Sequence, residues 1–439
     1  MYLSTGQRTK IKHRIEVIAI ENNLNAPARN FLNKVSEHHV NSCAPCDEGR
    51  GWCEFDFTSA SHHVQKLQRR IDKALREGEF SKISYLQNLL IHSHSAKMLA
   101  VKAVTSNRGK YTPGIDDVLW LSPRDKYNAA LSLVRRGYTP RPLKRIYIPK
   151  RNGDVRPLSI PTMKDRAMQT LYKFALEPIS ELLADEHSYG FRPNRSTRDA
   201  LIRCHNILCN RKDYTWVLKA DVKSCFDNIN HEWIMENIPI DKKILWKFLK
   251  CGIVHRCKKY DTNCGVPQGG AISPMICNMA LDGMERKLIE LLQDVEFIRY
   301  ADDILVISPY PSKLDKAIEI MNDFLSVRGL SLSAEKTLKT KASKGFSFLG
   351  WRIQAGEELP LIIPDRSNTE SLFDKVGEIF FGYEEYKELF DKLKPSIQGW
   401  VGYHRGVVDN DFLREIITAL QDTIRSVNDN ISPNLLNLI

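Results

Sequence analysis

The chain has 439 residues, of which 42% are hydrophobic and 27% charged, and its formal net charge is +11. Such a composition is globular, which excludes disordered, collagen-like and repeat proteins, and the length calls for two to four subdomains. No run of apolar residues is long enough for a transmembrane helix, and the opening MYLSTGQRTKIKHR lacks the apolar stretch of a signal peptide. A cytoplasmic protein with a polyanionic partner, no membrane association and most simply a nucleic acid to bind is expected.

Residues 1–60 are mixed and poorly periodic. Cys204, Cys209, Cys225, Cys251 and Cys277 sit in apolar or helical patterns, as free thiols in a reducing compartment do. His39, Cys43, Cys46 and Cys53 stand apart, because Cys-x2-Cys is half of a zinc site. No second Cys-x2-Cys follows, so unliganded thiols are the default and zinc the alternative. From Val64 the spacing predicts a helix with Val64, Leu67, Ile71, Ala74 and Leu75 on one face and Arg69, Arg70, Lys73 and Arg76 beside them, ended by Gly78. A second helix carries Ile83, Leu86, Leu89 and Leu90. These read as two packed helices with solvated basic faces or, more sharply, as an extension facing a polyanion.

Residues 135–151 hold seven basic residues and no acidic one, and Pro140, Pro142 and Pro149 prevent a helix there. Arg145–Ile148 and Arg156–Ile160 read as the strands of a hairpin turning at Asn152-Gly153, which sets Lys150 and Arg156 at its tip, a place to grip a triphosphate. A helix is predicted over 164–184, a buried strand running into a turn over 215–226, strands at 297–300 and 304–307, a helix over 311–330 and a strand over 346–353. Beyond a boundary near 355–370 the pattern is helical, with Phe412, Ile416, Leu420, Ile424 and Val427 in register.

Asp302 and Asp303 are adjacent carboxylates at the tip of an apolar hairpin. Their mutual repulsion and desolvation make a core role a poor explanation and a divalent cation a better one. Asp221, at the end of another buried strand, offers a third carboxylate, an arrangement suited to two-metal phosphoryl transfer.

Tyr300-Ala-Asp-Asp303 resembles the YxDD box of reverse transcriptases, and Gly265-Val-Pro-Gln-Gly-Gly-Ala-Ile-Ser-Pro274 resembles the family's GxPQGxxxSP segment. Ser188–Pro193 with Arg195-Ser196, Ile160–Arg166 and Thr112-Pro-Gly114 resemble segments of group II intron reverse transcriptases. The helix at 64–77 and Ser95–Val101 resemble that family's N-terminal extension. The resemblance spans roughly residues 51–405. It implies an α+β right-hand polymerase fold of fingers, a palm with an antiparallel sheet, and a helical thumb. The implied division is an N-terminal segment of residues 1–60, a helical extension with fingers over 61–215, a palm over 216–355, and a shortened thumb over 356–439.

The resemblance also implies roles. Asp221, Asp302 and Asp303 would hold two Mg2+ ions, with Mn2+ as the substitute. Lys150 and Arg156 would hold the triphosphate of a dNTP, and Pro267 and Gln268 would line its pocket, with Gly269 and Gly270 admitting close backbone approach. Phe226 falls where the family places a steric gate against the ribose 2′-hydroxyl, which favours deoxynucleotides and argues against an RNA-dependent RNA polymerase. Lys336 falls where the family carries a lysine able to protonate pyrophosphate. Phe348-Leu349-Gly350-Trp351 resembles the primer grip and, with Tyr300 and Arg192, would meet an RNA template and its DNA primer or product.

Two departures stand out. Gly399–Arg405 resembles the thumb motif GWxxYxR, yet only 34 residues follow, with no endonuclease domain, and residues 407–439 carry Arg414 and Arg425 against Asp409, Asp411, Glu415, Asp422 and Asp429. Asp117 stands where the family normally has glycine. The acidic tail leans the reading towards a domesticated relative acting in antiphage defence on a dedicated non-coding RNA. The alternative is an intron-encoded maturase that aids splicing and retrohoming, and a third reading is a catalytically inactive RNA-binding scaffold. The amphipathic C-terminal helix would pack on the thumb, on a second copy or on a partner protein.

Overall fold

The computed structural model describes residues 47–149, 155–382 and 386–427. The described residues divide into two compact units, one comprising those up to Ile207 with Trp216–Lys339, the other Leu208–Thr215 with those from Thr340 onward. Among the described residues no helix is long and apolar enough to cross a membrane.

The first unit begins with helices. Phe57–Arg76 starts seven residues before the apolar periodicity does, because the Asp56 carboxylate caps it, accepting from the amides of Thr58 at 2.9 Å and Ser59 at 3.0 Å. Ala60, Val64, Leu67, Ile71 and Ala74 face inward, while Arg69, Arg70, Lys73 and Arg76 stay in solvent. Phe80–His92 and His94–Ser106 pack beside it. At the centre lies Met163–Leu183, and Gln68 and Gln87 of the neighbouring helices donate to its Phe174 and Ala175 carbonyls at 2.9 and 3.2 Å.

The segments 160–166 and 112–114 turn out to be one structural joint. Arg166 donates to the carbonyls of Pro161, Gly109 and Thr112, and a β-carbon on Gly114 would stand 2.6 Å from Thr162 Cα. Asp165, buried, accepts from the Tyr138 hydroxyl at 2.6 Å and the Thr162 hydroxyl at 2.7 Å. Asp117 has φ +52, a left-handed backbone that favours glycine and that aspartate tolerates better than most residues, and it pairs with Lys144 at 3.2 Å.

Two sheets build the rest of this unit. Strands β1 (Leu143–Pro149) and β2 (Val155–Ile160) form the expected hairpin. A second sheet has β3 (Trp216–Asp221) at its heart. A short hairpin of β4 (Ile253–His255) and β5 (Lys258–Tyr260) extends the first sheet through parallel pairing of β4 with β1, giving the order β2-β1-β4-β5. The second sheet adds β6 (Glu296–Tyr300), β7 (Asp303–Ser308) and β8 (Leu338–Lys341), in the order β6-β7-β3-β8, with β7 antiparallel to both β3 and β6. Ile304, Leu305, Val306 and Ile307 are fully buried, which explains the continuous apolar run in β7, and the helix Pro311–Ser326 contributes Leu314, Ala317, Met321 and Leu325 to the same unit's core.

In the second unit the pattern over 346–353 predicts one strand. The structure instead breaks it into β9 (Phe346–Phe348) and β10 (Trp351–Gln354), because Leu349 and Gly350 both adopt positive φ, +48 and +84. Strand β11 (Leu361–Pro364) completes a sheet ordered β11-β10-β9. Helices Arg366–Gly382, Tyr386–His404 and Asn410–Val427 share a core that includes Leu372, Phe373, Leu393, Ile397, Ile416, Ile417 and Leu420. Ile416, Ile417 and Leu420 on the apolar face of the C-terminal helix are thus covered by the unit's own helices.

Candidate active site

The carboxylates expected to converge lie on neighbouring strands. The β3–β7 register sets Asp221 directly opposite Asp303, and the Val222 amide donates to the Asp302 carbonyl at 3.3 Å. Asp302 and Asp303 are half-buried, and both are pushed above the usual carboxylate range, Asp303 to about 6. Burial is the main cause for each; the next electrostatic cause is the neighbouring carboxylates, Asp221 for Asp302 and Asp302 for Asp303. Lys336 donates to Asp221 Oδ2 at 2.9 Å, and that bond, reinforced by Asp302 and Asp303, raises the lysine's pKa and keeps it charged.

The turn between β6 and β7 is fixed from behind. Ala301 has φ +56. The segment 187–190 runs alongside β6: the Arg299 amide donates to the His187 carbonyl at 2.9 Å, and the Tyr189 amide to the Arg299 carbonyl at 2.8 Å. A β-carbon on Gly190 would overlap the Ala301 amide nitrogen and stand 3.0 Å from Ala301 Cα. Arg299 is fully buried, ion-paired with Asp282, and reaches Asn278 Oδ1 at 3.2 Å and the Ala301 carbonyl at 3.3 Å, while Asn278 donates to the Gly190 carbonyl at 2.7 Å. Arg192 gives its guanidinium to Glu181 and to the carbonyls of Asp185 and Ser188, both at 2.8 Å, leaving its side chain 6% exposed. It closes the loop that braces the aspartate turn.

Five residues after Asp221, Phe226 lies partly exposed on the short helix Cys225–Asn228. Its carbonyl accepts from the Val266 amide at 2.6 Å. A β-carbon on Gly265 would stand 2.5 Å from the Asp227 backbone, so only glycine lets this strand of chain pass beneath the helix. Gln268 donates to Asp227 Oδ2 at 2.9 Å, and its carbonyl accepts from the Ser159 amide at 2.7 Å, tying the segment to β2. Gly269 has φ +108 and would carry a β-carbon 2.6 Å from the Ser159 carbonyl oxygen. Burial raises the Asp227 pKa against the pull of Arg145 and Gln268. Arg156 is exposed on β2, and its charge is felt at Asp302. Pro267 and Tyr300 are partly exposed, Tyr300 opposite Asp303 in the register.

Lys150, His39, Cys43 and Cys46 lie outside the described residues; Cys53 is an exposed free thiol, and Cys204, Cys225 and Cys277 are buried free thiols. Among the described residues no group of three or more His, Cys, Asp or Glu side chains forms a ready-made metal cage. Phe348, Leu349, Gly350 and Trp351 belong to the other unit. There the Tyr403 hydroxyl donates to the Leu349 carbonyl at 2.9 Å, and its ring stacks on buried Trp351 at 4.5 Å. Trp400 donates to Asn368 Oδ1 at 2.6 Å, and Asn368 crowds Gly350, so the FLGW turn and the GWxxYxR helix are built on each other.

The family described as reverse transcriptase (RNA-dependent DNA polymerase) matches residues 148–353, and the N-terminal domain of reverse transcriptase matches residues 52–133. The group II intron-encoded protein LtrA of Lactococcus lactis is 34% identical over 75% of this chain and 67% of its own length. The chain belongs to the group II intron-type reverse transcriptases. It is an RNA-directed DNA polymerase with the right-hand fold of that family, mixed helix and antiparallel sheet. The protein YkfC of Escherichia coli is 29% identical over 58% of this chain and 79% of its own, and maturase-like protein 1 of Euglena gracilis is 26% identical over 77% and 74%. The telomerase of Candida albicans, solved with a fragment of telomeric RNA, aligns over 70% of this chain and 62% of its own at 14% identity and a TM-score of 0.41.

In this reverse transcriptase, several residues outside the family motifs support the site. Arg299 is a charge inside the buried strand β6, a signal present in the sequence. Asn278, Asp282 and Asp227 carry no local signal, because their partners lie up to 88 residues away in the chain. The basic face of Phe57–Arg76 continues into a groove lined by His63, Lys66, Arg70 and His92.

Proposed function

We propose that Asp221, Asp302 and Asp303 form the centre that extends a DNA strand on an RNA template, with dNTPs as substrates and two Mg2+ ions as cofactors. The observation that carries this reading is the register that sets Asp221 against Asp303 beside Asp302, three carboxylates in a half-buried place where two of them resist ionisation. The donor set fits the ion: all are hard oxygen ligands, and magnesium is usually held by one or two carboxylates with substrate phosphates and water, which needs no protein cage. When bound, the metals lower the pKa of the attacking 3′-hydroxyl and neutralise charge on the transferring phosphoryl group.

The chain's own residues would do the rest. Arg156 would hold the triphosphate. Phe226 would press on C2′ of the sugar, and Gln268, oriented by Asp227, would line the pocket. Lys336, kept protonated by Asp221, can give its proton to the leaving pyrophosphate. The exposed cations of Phe57–Arg76 and the groove at His63 offer phosphate contacts to RNA. Purified protein should extend a DNA primer on an RNA template with Mg2+ and dNTPs, and Asp302→Ala combined with Asp303→Ala should abolish extension; extension that survives refutes the assignment.

The finer biological reading is a domesticated enzyme in antiphage defence, copying a dedicated RNA in the cytoplasm. Its support is the acidic segment after Val407, ill-suited to gripping an intron RNA. Sequencing the nucleic acid that copurifies with the protein tests it: an intron as template would overturn it in favour of a maturase.

A further inference from the structure

Phe191 has a backbone and an exposure that its surroundings do not explain by packing. Its φ is +58, a left-handed conformation that is an outlier for a bulky aromatic residue. Strain of this kind persists only where neighbours over-determine it, and it concentrates at functional sites. Here they do: Gly190 is wedged on the Ala301 backbone and held by Asn278, while Arg192 binds the Asp185 and Ser188 carbonyls. Burial of the ring is not the return for that strain, because Phe191 is 54% exposed. What the conformation achieves is contact. The Phe191 ring meets Phe226 edge to face, with centroids 6.3 Å apart and an interplanar angle of 87°.

We propose that Phe191 is a positioning residue for sugar selection, bracing the Phe226 ring so that it cannot swing away from an incoming 2′-hydroxyl. A steric gate discriminates only as far as its ring resists displacement. Phe226 sits on a four-residue helix and packs only part of its ring against the unit's core, which leaves the exposed side of the ring for Phe191 to hold. Phe191 presents its ring from a loop anchored to the aspartate turn. The brace and the carboxylates therefore share one rigid support, and the gate keeps its position relative to the reacting atoms. This inference rests on the reading of Phe226 as the gate.

The test is single-nucleotide incorporation by the full chain, comparing kcat/KM for dCTP and rCTP in wild type, Phe191→Ala, Phe191→Gly, Phe191→Tyr, Phe226→Val and the Phe191→Ala/Phe226→Val double variant. An edge-to-face aromatic pair corresponds to about a 3- to 10-fold effect, so Phe191→Ala and Phe191→Gly should lower the dCTP preference by about that factor. Phe191→Tyr, which keeps the ring, should retain the preference. Glycine relieves the left-handed strain, so Phe191→Gly should lose selectivity without losing thermal stability, a pattern that general damage to the loop cannot give. In the Phe226→Val background the Phe191→Ala effect should vanish, since the two act as one unit. If Phe226→Val collapses the preference while the Phe191 variants keep it, the brace is overturned and the gate stands. If Phe226→Val leaves the preference intact, the gate falls and the brace with it.

Discussion

Substituting Gly190 by alanine asks whether the loop that braces the aspartate turn sets the geometry of catalysis. The added β-carbon would overlap the Ala301 amide nitrogen and stand 3.0 Å from both Ala301 Cα and Cβ. Ordinary carbon contacts are about 3.5–4.0 Å, so the two backbones must part by roughly 0.5–1 Å. The Gly190 side cannot easily yield, because Asn278 holds its carbonyl and Arg192 closes the loop beyond it. The displacement therefore falls on Ala301 and passes directly to Asp302 and Asp303. Overpacking of this kind destabilises by about 1–3 kcal/mol, and misplacing reacting groups by about 1 Å costs on the order of 10²-fold in rate. Gly190→Ala should therefore fold, melt a few degrees lower, and lose between tenfold and a hundredfold in the rate constant for nucleotide addition, with a higher Mg2+ requirement. Single-turnover primer extension across a Mg2+ series, alongside thermal melting, measures both. A variant that melts lower yet adds nucleotides at the wild-type rate would refute the claim that this contact positions the carboxylates.

Three further outcomes follow from the same geometry. The folded protein binds a proton at Asp303 more tightly than the unfolded chain does, so its ionisation destabilises the fold as pH rises from about 4 through about 6, by on the order of 3 kcal/mol without metal. Asp303→Asn should remove that slope and raise the melting temperature in chelator at pH 7.5 while abolishing synthesis, and a variant no more stable than wild type there would contradict the burial argument. Lys336→Gln should slow nucleotide addition about 10²-fold in single-turnover measurements, the scale of general acid catalysis, and a loss under threefold would assign Lys336 to orienting Asp221 alone. Asp117→Gly relieves φ +52 at the loss of a surface ion pair with Lys144, and should leave stability unchanged or improve it by up to about 1 kcal/mol in denaturant titration.

What could be read in the sequence was whatever is local or periodic. The β1–β2 hairpin, the helices around Val64 and over 164–184, and the pair β6–β7 each show their period within a dozen residues, and their ends differ from the pattern by at most two residues except at Asp56, whose cap starts the first helix seven residues earlier. The β4–β5 hairpin escaped because its turn residues, Arg256 and Cys257, take φ +47 and +64 without the glycine or asparagine that signals such a turn. The strand pattern runs through the break between β9 and β10 because Leu349 gives no warning of a positive φ, whereas the resemblance of Phe348–Trp351 to the primer grip does imply a tight turn there. In the site itself the carboxylates announce themselves as charges at the ends of apolar strands. Their support does not, because the Arg299–Asp282–Asn278 cluster and the Gly190–Ala301 wedge bring together residues that only the fold makes neighbours.

The pairing of β3 with β7 has a temporal meaning as well. Asp221 meets Asp303 at a sequence separation of 82 residues, and Lys336 reaches Asp221 at one of 115. Closing so long a loop is slow, and it cannot begin until the later strand has been synthesised. A chain emerging from the ribosome can complete its helical N-terminal layer, joined to Met163–Leu183 by bonds such as Gln68 to the Phe174 carbonyl, before β7 has been synthesised, and so would present its cationic face before it holds a competent centre. Under the proposed function, template engagement would thus precede chemistry within the life of a single nascent molecule, and polymerisation would be among the last abilities the folding chain acquires.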